Sequence, residues 1–264
     1  ICVVHGNTLS TVLGTIWAKI NGIRVIHIEG GYRSFNWFKP FPEEIIRYWV
    51  SKFSDYVICF DIDSKKNLEN MKISAQIISI SRNTIFDTIP RELDTSKIES
   101  KLIVSVHRNE NIYNKKILLE LVDLIIDLKK KYFDNVIWYT HSHTLNNLSK
   151  NNLVAKLENN LIKIMPLIDH NLFIKEVQTA RCVLTDGESV LEECKIIGVP
   201  TYALLNDLEN KSSYGENIII SKYMHKENDD FFKNLEKFRI TKRSENNISP
   251  SLEVAQFIEK IIDN

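Results

Sequence analysis

His27-Ile28-Glu29-Gly30-Gly31-Tyr32-Arg33, entered from the apolar run Arg24–Ile28 and followed by Pro40-Phe41-Pro42-Glu43-Glu44, decides how this chain folds. A short β-branched run that stops at an acid and two glycines reads as a buried strand delivering a polar loop. In an open α/β sheet, that end of the strand is where chemistry sits. The same figure recurs twice downstream. Leu102-Ile103-Val104 runs into Val106-His107-Arg108-Asn109-Glu110-Asn111, and Cys182-Val183-Leu184 runs into Thr185-Asp186-Gly187-Glu188-Ser189.

Working outward, short apolar runs closed by turn residues predict strands at Ile1–Val4, Arg24–Ile28, Tyr56–Phe60, Gln76–Ser79, Lys101–Val106, Val136–Thr140, Leu161–Met165, Arg181–Thr185 and Thr201–Leu205. Helical patterns lie between them. Leu9–Asn21 stops at Gly22, and Pro42-Glu43-Glu44 opens a helix to about Phe53 with proline and acids in its first turn. Lys115–Tyr132, Ser189–Ile197 and the amphipathic Pro250–Ile262 complete the clear helices. Alternation of strand and helix implies an α/β fold with mostly parallel sheets covered by helices. The polar stretch Thr88–Ser100, with Pro90, reads as a boundary. It predicts one α/β domain over 1–90 and a second over 91–247. The helix within 248–264 is expected to pack back on the first domain. Asn228–Asn247 is charged and low in aliphatic residues, and reads as surface helix and loop.

A content of 44% hydrophobic and 26% charged residues is that of a soluble globular protein. Lys+Arg and Asp+Glu both number 34, so no global positive charge points to nucleic acid. No apolar stretch is long enough to cross a membrane and no signal peptide is visible, so a cytoplasmic protein is expected. Cys2, Cys59, Cys182 and Cys194 lie far apart without a CxxC pair, and read as reduced thiols rather than a disulfide or zinc framework. Residue 1 is Ile, and Ile1–Val4 reads as the end of a buried strand. A domain seldom begins inside its core, so upstream sequence and an incomplete first domain are expected.

The ordered motifs resemble the non-hydrolysing UDP-N-acetylglucosamine 2-epimerases. The family's VHGDT stands here as Val4-His5-Gly6-Asn7-Thr8, and its HVEAGLR as His27–Arg33. PFPEE is intact at Pro40–Glu44 and HRxEN at His107–Asn111. TDSGGxQEE stands as Thr185-Asp186-Gly187-Glu188-Ser189-Val190-Leu191-Glu192-Glu193. The resemblance implies two Rossmann-like domains in the glycosyltransferase-B arrangement, with a UDP-sugar substrate between them, no cofactor, no metal and a homodimer. It implies epimerisation at C2 by eliminating UDP to a glycal and adding it back, in the supply of surface polysaccharide precursors. Glu29 and Glu43 then match acids for proton transfer and charge stabilisation, and Asn7 stands at a third catalytic position. His107 falls beside the departing diphosphate. Arg33, Arg108, His141, Phe173, Asp186, Gly187, Glu188, Ser189 and Glu192 fall at substrate or UDP contacts, with Phe173 bordering uracil and Glu192 the ribose. The family's opening phosphate-contacting segment would lie upstream of Ile1.

Without that resemblance the same residues read more plainly. An acid in a first helical turn, such as Glu43 or Glu44, more often serves the dipole than catalysis. His5, His27, His143, His170 and His225 read as structural or solvated, and Phe173 as plain core. Phe35, Trp37, Phe38 and Phe41, broken up by polar residues and prolines, read as a loop or lid. The sequence also departs from the family. Asn7 replaces an aspartate and cannot take a proton. Gly187-Glu188-Ser189 replaces Ser-Gly-Gly, Arg82-Asn83-Thr84 replaces Gly-Asn-Thr, and Leu208–Ser212 stands for an arginine-bearing segment. A glycosyltransferase-B-type transferase and a catalytically impaired nucleotide-sugar binder are therefore the competing readings.

Overall fold

The computed structural model describes residues 1–37, 41–90, 97–205, 215–221, 229–240 and 248–263, which form two units, each built on a parallel sheet. In the first unit β1 (Cys2–His5), α1 (Leu9–Ile20), β2 (Val25–Ile28), α2 (Glu43–Phe53), β3 (Tyr56–Cys59), α3 (Ile62–Asn70) and β4 (Gln76–Ser79) alternate, followed by a 3-10 turn at Thr84–Thr88. The strands pair in the order β1-β2-β3-β4, all parallel. Successive strand residues face opposite sides of the sheet. Val25 packs with Ala18, Ile46 and Val50 from α1 and α2, while its neighbour Ile26 packs with Val254 and Ile261.

Those last two residues belong to the chain's final helix, which carries the terminal residues onto the first unit. Its start is fixed by Ser249, whose hydroxyl accepts from Leu252 N–H, and by Asp87, which accepts from Ser249 Oγ at 2.9 Å and Ser251 N at 2.8 Å. On the outer face of α1, Leu13, Ile16, Trp17 and Ile20 stay exposed.

The second unit begins at Ile89. It comprises β5 (Glu99–Ser105), α4 (Asn109–Ile112), α5 (Lys115–Tyr132), β6 (Asn135–Thr140), α6 (Ser142–Lys150), α7 (Leu153–Asn159) and β7 (Ile162–Pro166). Then come α8 (His170–Thr179), β8 (Ala180–Thr185), α9 (Glu188–Ile197), β9 (Thr201–Ala203), β10 (Ile218–Ile220), α10 (Asp229–Lys233) and α11 (Leu235–Phe238). The final helix of the first unit is α12 (Pro250–Ile262). The order β10-β9-β8-β5-β6-β7 is parallel throughout. Connections run one way from β5 and the other way from β8, so the topology switches between these two strands. Open α/β sheets bind ligands in the crevice beyond the strand ends at that point. Helices cover both faces: α5 packs over Leu102 and Val104, and α8 and α9 over Ile103 and Val183.

Two differences from the sequence reading have physical causes. Strand β5 starts two residues earlier because Glu99 already pairs with Ala180 of β8 ahead of a register shift, and the buried Lys101 is satisfied, its amine 2.8 Å from Glu176 Oε2 and 2.9 Å from Thr179 Oγ1. Strand β10 was not foreseen, since three isoleucines between polar neighbours show no alternation. The four thiols are unpaired; burial pushes Cys194 up to about 12. No helix among the described residues is long and apolar enough to cross a membrane.

Gly198 ends α9 at φ +81, and a Cβ there would run into the Ile240 carbonyl, whose own N–H bonds Gly198 O at 2.9 Å. Left-handed backbone and close approach both demand glycine. Gly198→Ala is expected to lower stability by about 2 kcal/mol or more, read from the midpoint of urea unfolding.

Candidate functional site

In the first unit, three strand ends and one helix face assemble a polar cluster. Strand β1 ends at His5, and Gly6 at φ +69 turns the chain into Asn7. Strand β2 ends at Ile28 and Glu29 takes φ +70, a left-handed conformation that costs a residue with a Cβ about 1–2 kcal/mol. Gly31 follows at φ +94, where any side chain would strike the Ser64 carbonyl of α3. The turn holds the Glu29 carboxylate with Oε2 3.8 Å from His5 Nε2 and Oε1 3.4 Å from Asn83 Nδ2, which reaches in from beyond β4. The side chain keeps 26% exposure. Loss of water nonetheless raises its pKa, while the Arg47 charge and the Asn83 hydrogen bond oppose the rise.

Helix α2 turns a polar face inward. Glu44, Arg47 and Ser51, three and four residues apart, are all buried. Glu44 accepts from Arg33 Nε at 2.6 Å, Ser34 N at 3.0 Å and Phe35 N at 3.2 Å, and so fixes the loop after Glu29. The Asn7 amide faces Arg47, and with its oxygen inward accepts from Nε at 2.9 Å and Nη2 at 2.7 Å. Ser51 Oγ lies 3.1 Å from Nδ1 of fully buried His27, whose Nε2 lies 2.9 Å from Gly6 O. Burial holds His27 down to about 4, so its ring is neutral and ties the β1 turn to α2. Glu43, in the first turn of α2, has a buried Oε2 with no hydrogen-bond partner among the described residues.

In the second unit the polar residues sit where the topology switches. Asp186, fully buried after β8, accepts from His107 N at 2.9 Å, Arg108 N at 2.9 Å and Asn111 Nδ2 at 2.8 Å. Thr185 Oγ1 bonds Ser105 O at 2.8 Å and receives Gly187 N at 3.1 Å. The ends of β5 and β8 are thereby locked together. Outside that lock, the His107 ring stands 4.7 Å from that of His141, and His143 Nε2 lies 2.8 Å from His107 O. Burial lowers the His141 pKa first, and the neighbouring imidazoles lower it further. Arg108 Nη2 lies 3.6 Å from Glu188 Oε1. Helix α9 starts at Glu188 behind a glycine N-cap that has no side chain to satisfy the first-turn N–H groups.

The structure thus gathers Asn7 and Glu29 with Arg47, and His107, Arg108, His141 and Glu188 with Asp186. Gly187 and Asp186 are buried, Ser189 is exposed, and Glu192 is half-buried one turn into α9. Arg33 is turned to Glu44 and is faced by Phe35, Trp37 and Tyr48 at 5.2, 5.5 and 5.3 Å. The expected lid residues Phe35 and Trp37 serve that cluster; Phe38 lies outside the described residues, as do Pro40, Leu208–Ser212 and His225. Phe173 is half-buried on α8, edge-on to Tyr139 at 5.7 Å. Sequence reasoning passed over Arg47 and Ser51, read His5 as structural or solvated, and named Asn111 and Asn83 only as members of motifs. Among the described residues no cluster could hold a metal ion.

Residues 1–250 match the sequence profile of the UDP-N-acetylglucosamine 2-epimerases. The chain is 31% identical over 229 residues to a UDP-N-acetylglucosamine 2-epimerase of Methanococcus maripaludis, covering 81% of this chain and 62% of that protein. It is 29% identical over 237 residues to that of Methanocaldococcus jannaschii, covering 83% and 64%. It therefore spans less than two thirds of the length of these curated relatives. The M. jannaschii UDP-GlcNAc 2-epimerase, solved in complex with UDP-GlcNAc and UDP, superposes with a TM-score of 0.79 at 26% identity, over 98% of this chain and 75% of that one. The Neisseria meningitidis enzyme bound to UDP-GlcNAc has the same fold, at a TM-score of 0.79 and 21% identity, over 99% and 76%.

His27 also sets a pH response. Its folded pKa is about 4 against a reference of 6.5, so the unfolded chain binds the extra proton as pH falls between them. Stability linked to His27 is complete above 6.5 and is lost toward pH 4, on the order of 3 kcal/mol in full. Urea unfolding of His27→Gln across that window should show a flatter pH dependence than the parent chain.

Proposed function

The chain belongs to the UDP-N-acetylglucosamine 2-epimerase family, and from that premise we propose that it inverts C2 of a UDP-N-acetylamino sugar of the UDP-GlcNAc to UDP-ManNAc type. A base takes the C2 proton, the C1–O bond to UDP breaks with its electron pair leaving on the diphosphate, and a C1=C2 glycal remains. Re-addition of UDP with protonation of the opposite face of C2 gives the epimer. The observation that carries this reading is the placement of Glu29. It is a partly desolvated carboxylate on a strained strand end, facing His5, Arg47 and Asn83, and loss of water raises the basicity a proton acceptor needs.

Glu43 brings a second carboxylate, with a buried oxygen open to a hydroxyl or a developing cationic centre. On the second unit, Arg108, His107 and the N-terminus of α9 supply donors for the diphosphate as negative charge grows on it. Asn111, through Asp186, holds the His107–Arg108 turn in place. The reading extends to a homodimer in the cytoplasm making a precursor for surface polysaccharide. The exposed apolar stripe on α1 supports association with a second copy.

A second reading, a nucleotide-sugar binder with impaired turnover, is favoured by Asn7. Where the family has an aspartate, this chain presents an amide already engaged by Arg47 and unable to accept a proton.

One experiment separates the two: incubation with UDP-N-acetylglucosamine in deuterated water, followed by proton NMR. Appearance of the manno epimer carrying deuterium at C2 is expected, and Glu29→Gln should lose it by at least about a thousandfold. UDP binding without exchange, restored to turnover by Asn7→Asp, would establish the impaired binder instead.

The pH profile offers a further check. A base must be ionised, and Glu29 has a raised pKa, so kcat/KM should climb with pH through a value above the usual ~4.3 of a glutamate. Removing the Arg47 charge in Arg47→Gln should push that limb higher still.

A further inference from the structure

Glu188 is an acid at a helix N-terminus to which the proposed reading assigns an anion. It is the first residue of α9, and its carboxylate lies 3.6 Å from Arg108 Nη2 with side-chain exposures of 19% and 23%. Arg108 also has Glu110 Oε1 at 3.8 Å from Nη1. Among the described residues beyond the ends of β5 and β8, this guanidinium and the first turn of α9 both supply positive potential. Glu188 sits on both. Gly187 and Ser189, its neighbours, bring no charge.

We infer that Glu188 determines ligand selectivity at this crevice: its carboxylate stands where a nucleotide phosphate would, and Arg108 exchanges it for phosphate on binding. The inference rests on the reading that the crevice takes UDP. A carboxylate close to a diphosphate repels it in proportion to the charge the ligand carries. Free UDP carries one negative charge more than a UDP-sugar, and uridine carries none. Glu188 therefore weakens UDP most, UDP-sugars less and uridine not at all, and biases the site toward intact UDP-sugar over the cleaved nucleotide. A glycine-rich turn at this position would lack that discrimination.

The test is calorimetric titration of the parent chain, Glu188→Gln and Glu188→Gly with UDP, UDP-N-acetylglucosamine and uridine. Removing the charge should tighten UDP by about tenfold, tighten the UDP-sugar by less, and leave uridine unchanged. Added salt should shrink the gain. A gain in affinity cannot come from misfolding, and the glutamine variant keeps the side chain's shape. Equal or weaker UDP binding by both variants, with the parent binding UDP, would overturn the inference and make Glu188 a bystander or a clamp on Arg108. Equal tightening of uridine would overturn it too, since the effect would not be one of charge. Absence of UDP binding in all three chains would instead defeat the assignment of the crevice to UDP, and the selectivity with it.

Discussion

Asp186 is a carboxylate with no exposed surface, and the second unit is organised around keeping it satisfied. An ion taken out of water is tolerable only when its lone pairs are met by donors. Here they come from the backbone of His107 and Arg108 and from the Asn111 amide, all beyond β5 and far away in sequence. The carboxylate therefore does what no packing contact could. It sets the directions in which the His107 and Arg108 side chains leave the strand end, at the point where the sheet's topology switches. A shifted turn would strand several donors at once, so the arrangement is close to all-or-none.

The first unit solves the same problem with a helix. The inward face of α2 is polar at Glu44, Arg47 and Ser51, and each docks on a different partner: the Arg33–Phe35 segment, Asn7 in the turn after β1, and His27 of β2. Val50 and Ile46 anchor the helix to the sheet. Apolar anchoring holds α2 in place, and the three polar side chains convert that position into fixed loop geometry around Glu29. The loops that carry Glu29 and Asn7 are thus held in place by α2.

Much of this was legible in the amino-acid sequence because the strands are short, β-branched and abruptly ended. The acids and basic residues after Ile28, Ser105 and Thr185 stand out against such runs, and Lys115–Tyr132 and Pro250–Ile262 carry an unbroken helical period. What was not legible depends on tertiary contact. Arg47 and Ser51 look like the solvent side of an amphipathic helix, and only the neighbouring strands reveal that their face is inside. His27 and Asp186 show the converse. The histidine is buried and bonded within the fold, as a structural role implied, whereas the bonds that Asp186 accepts from His107, Arg108 and Asn111 could not be read from its own motif. Asn83 reaches Glu29 from another strand end, and no local pattern encodes that meeting.

The turn at Glu29 has an evolutionary reading. A residue with a Cβ in left-handed backbone, carrying a carboxylate stripped of part of its water, is a local liability to the fold. Glycine or asparagine would relieve the backbone, and any neutral side chain would relieve the desolvation. A glutamate held there, against the preference of its own backbone, is a feature that folding stability alone does not explain.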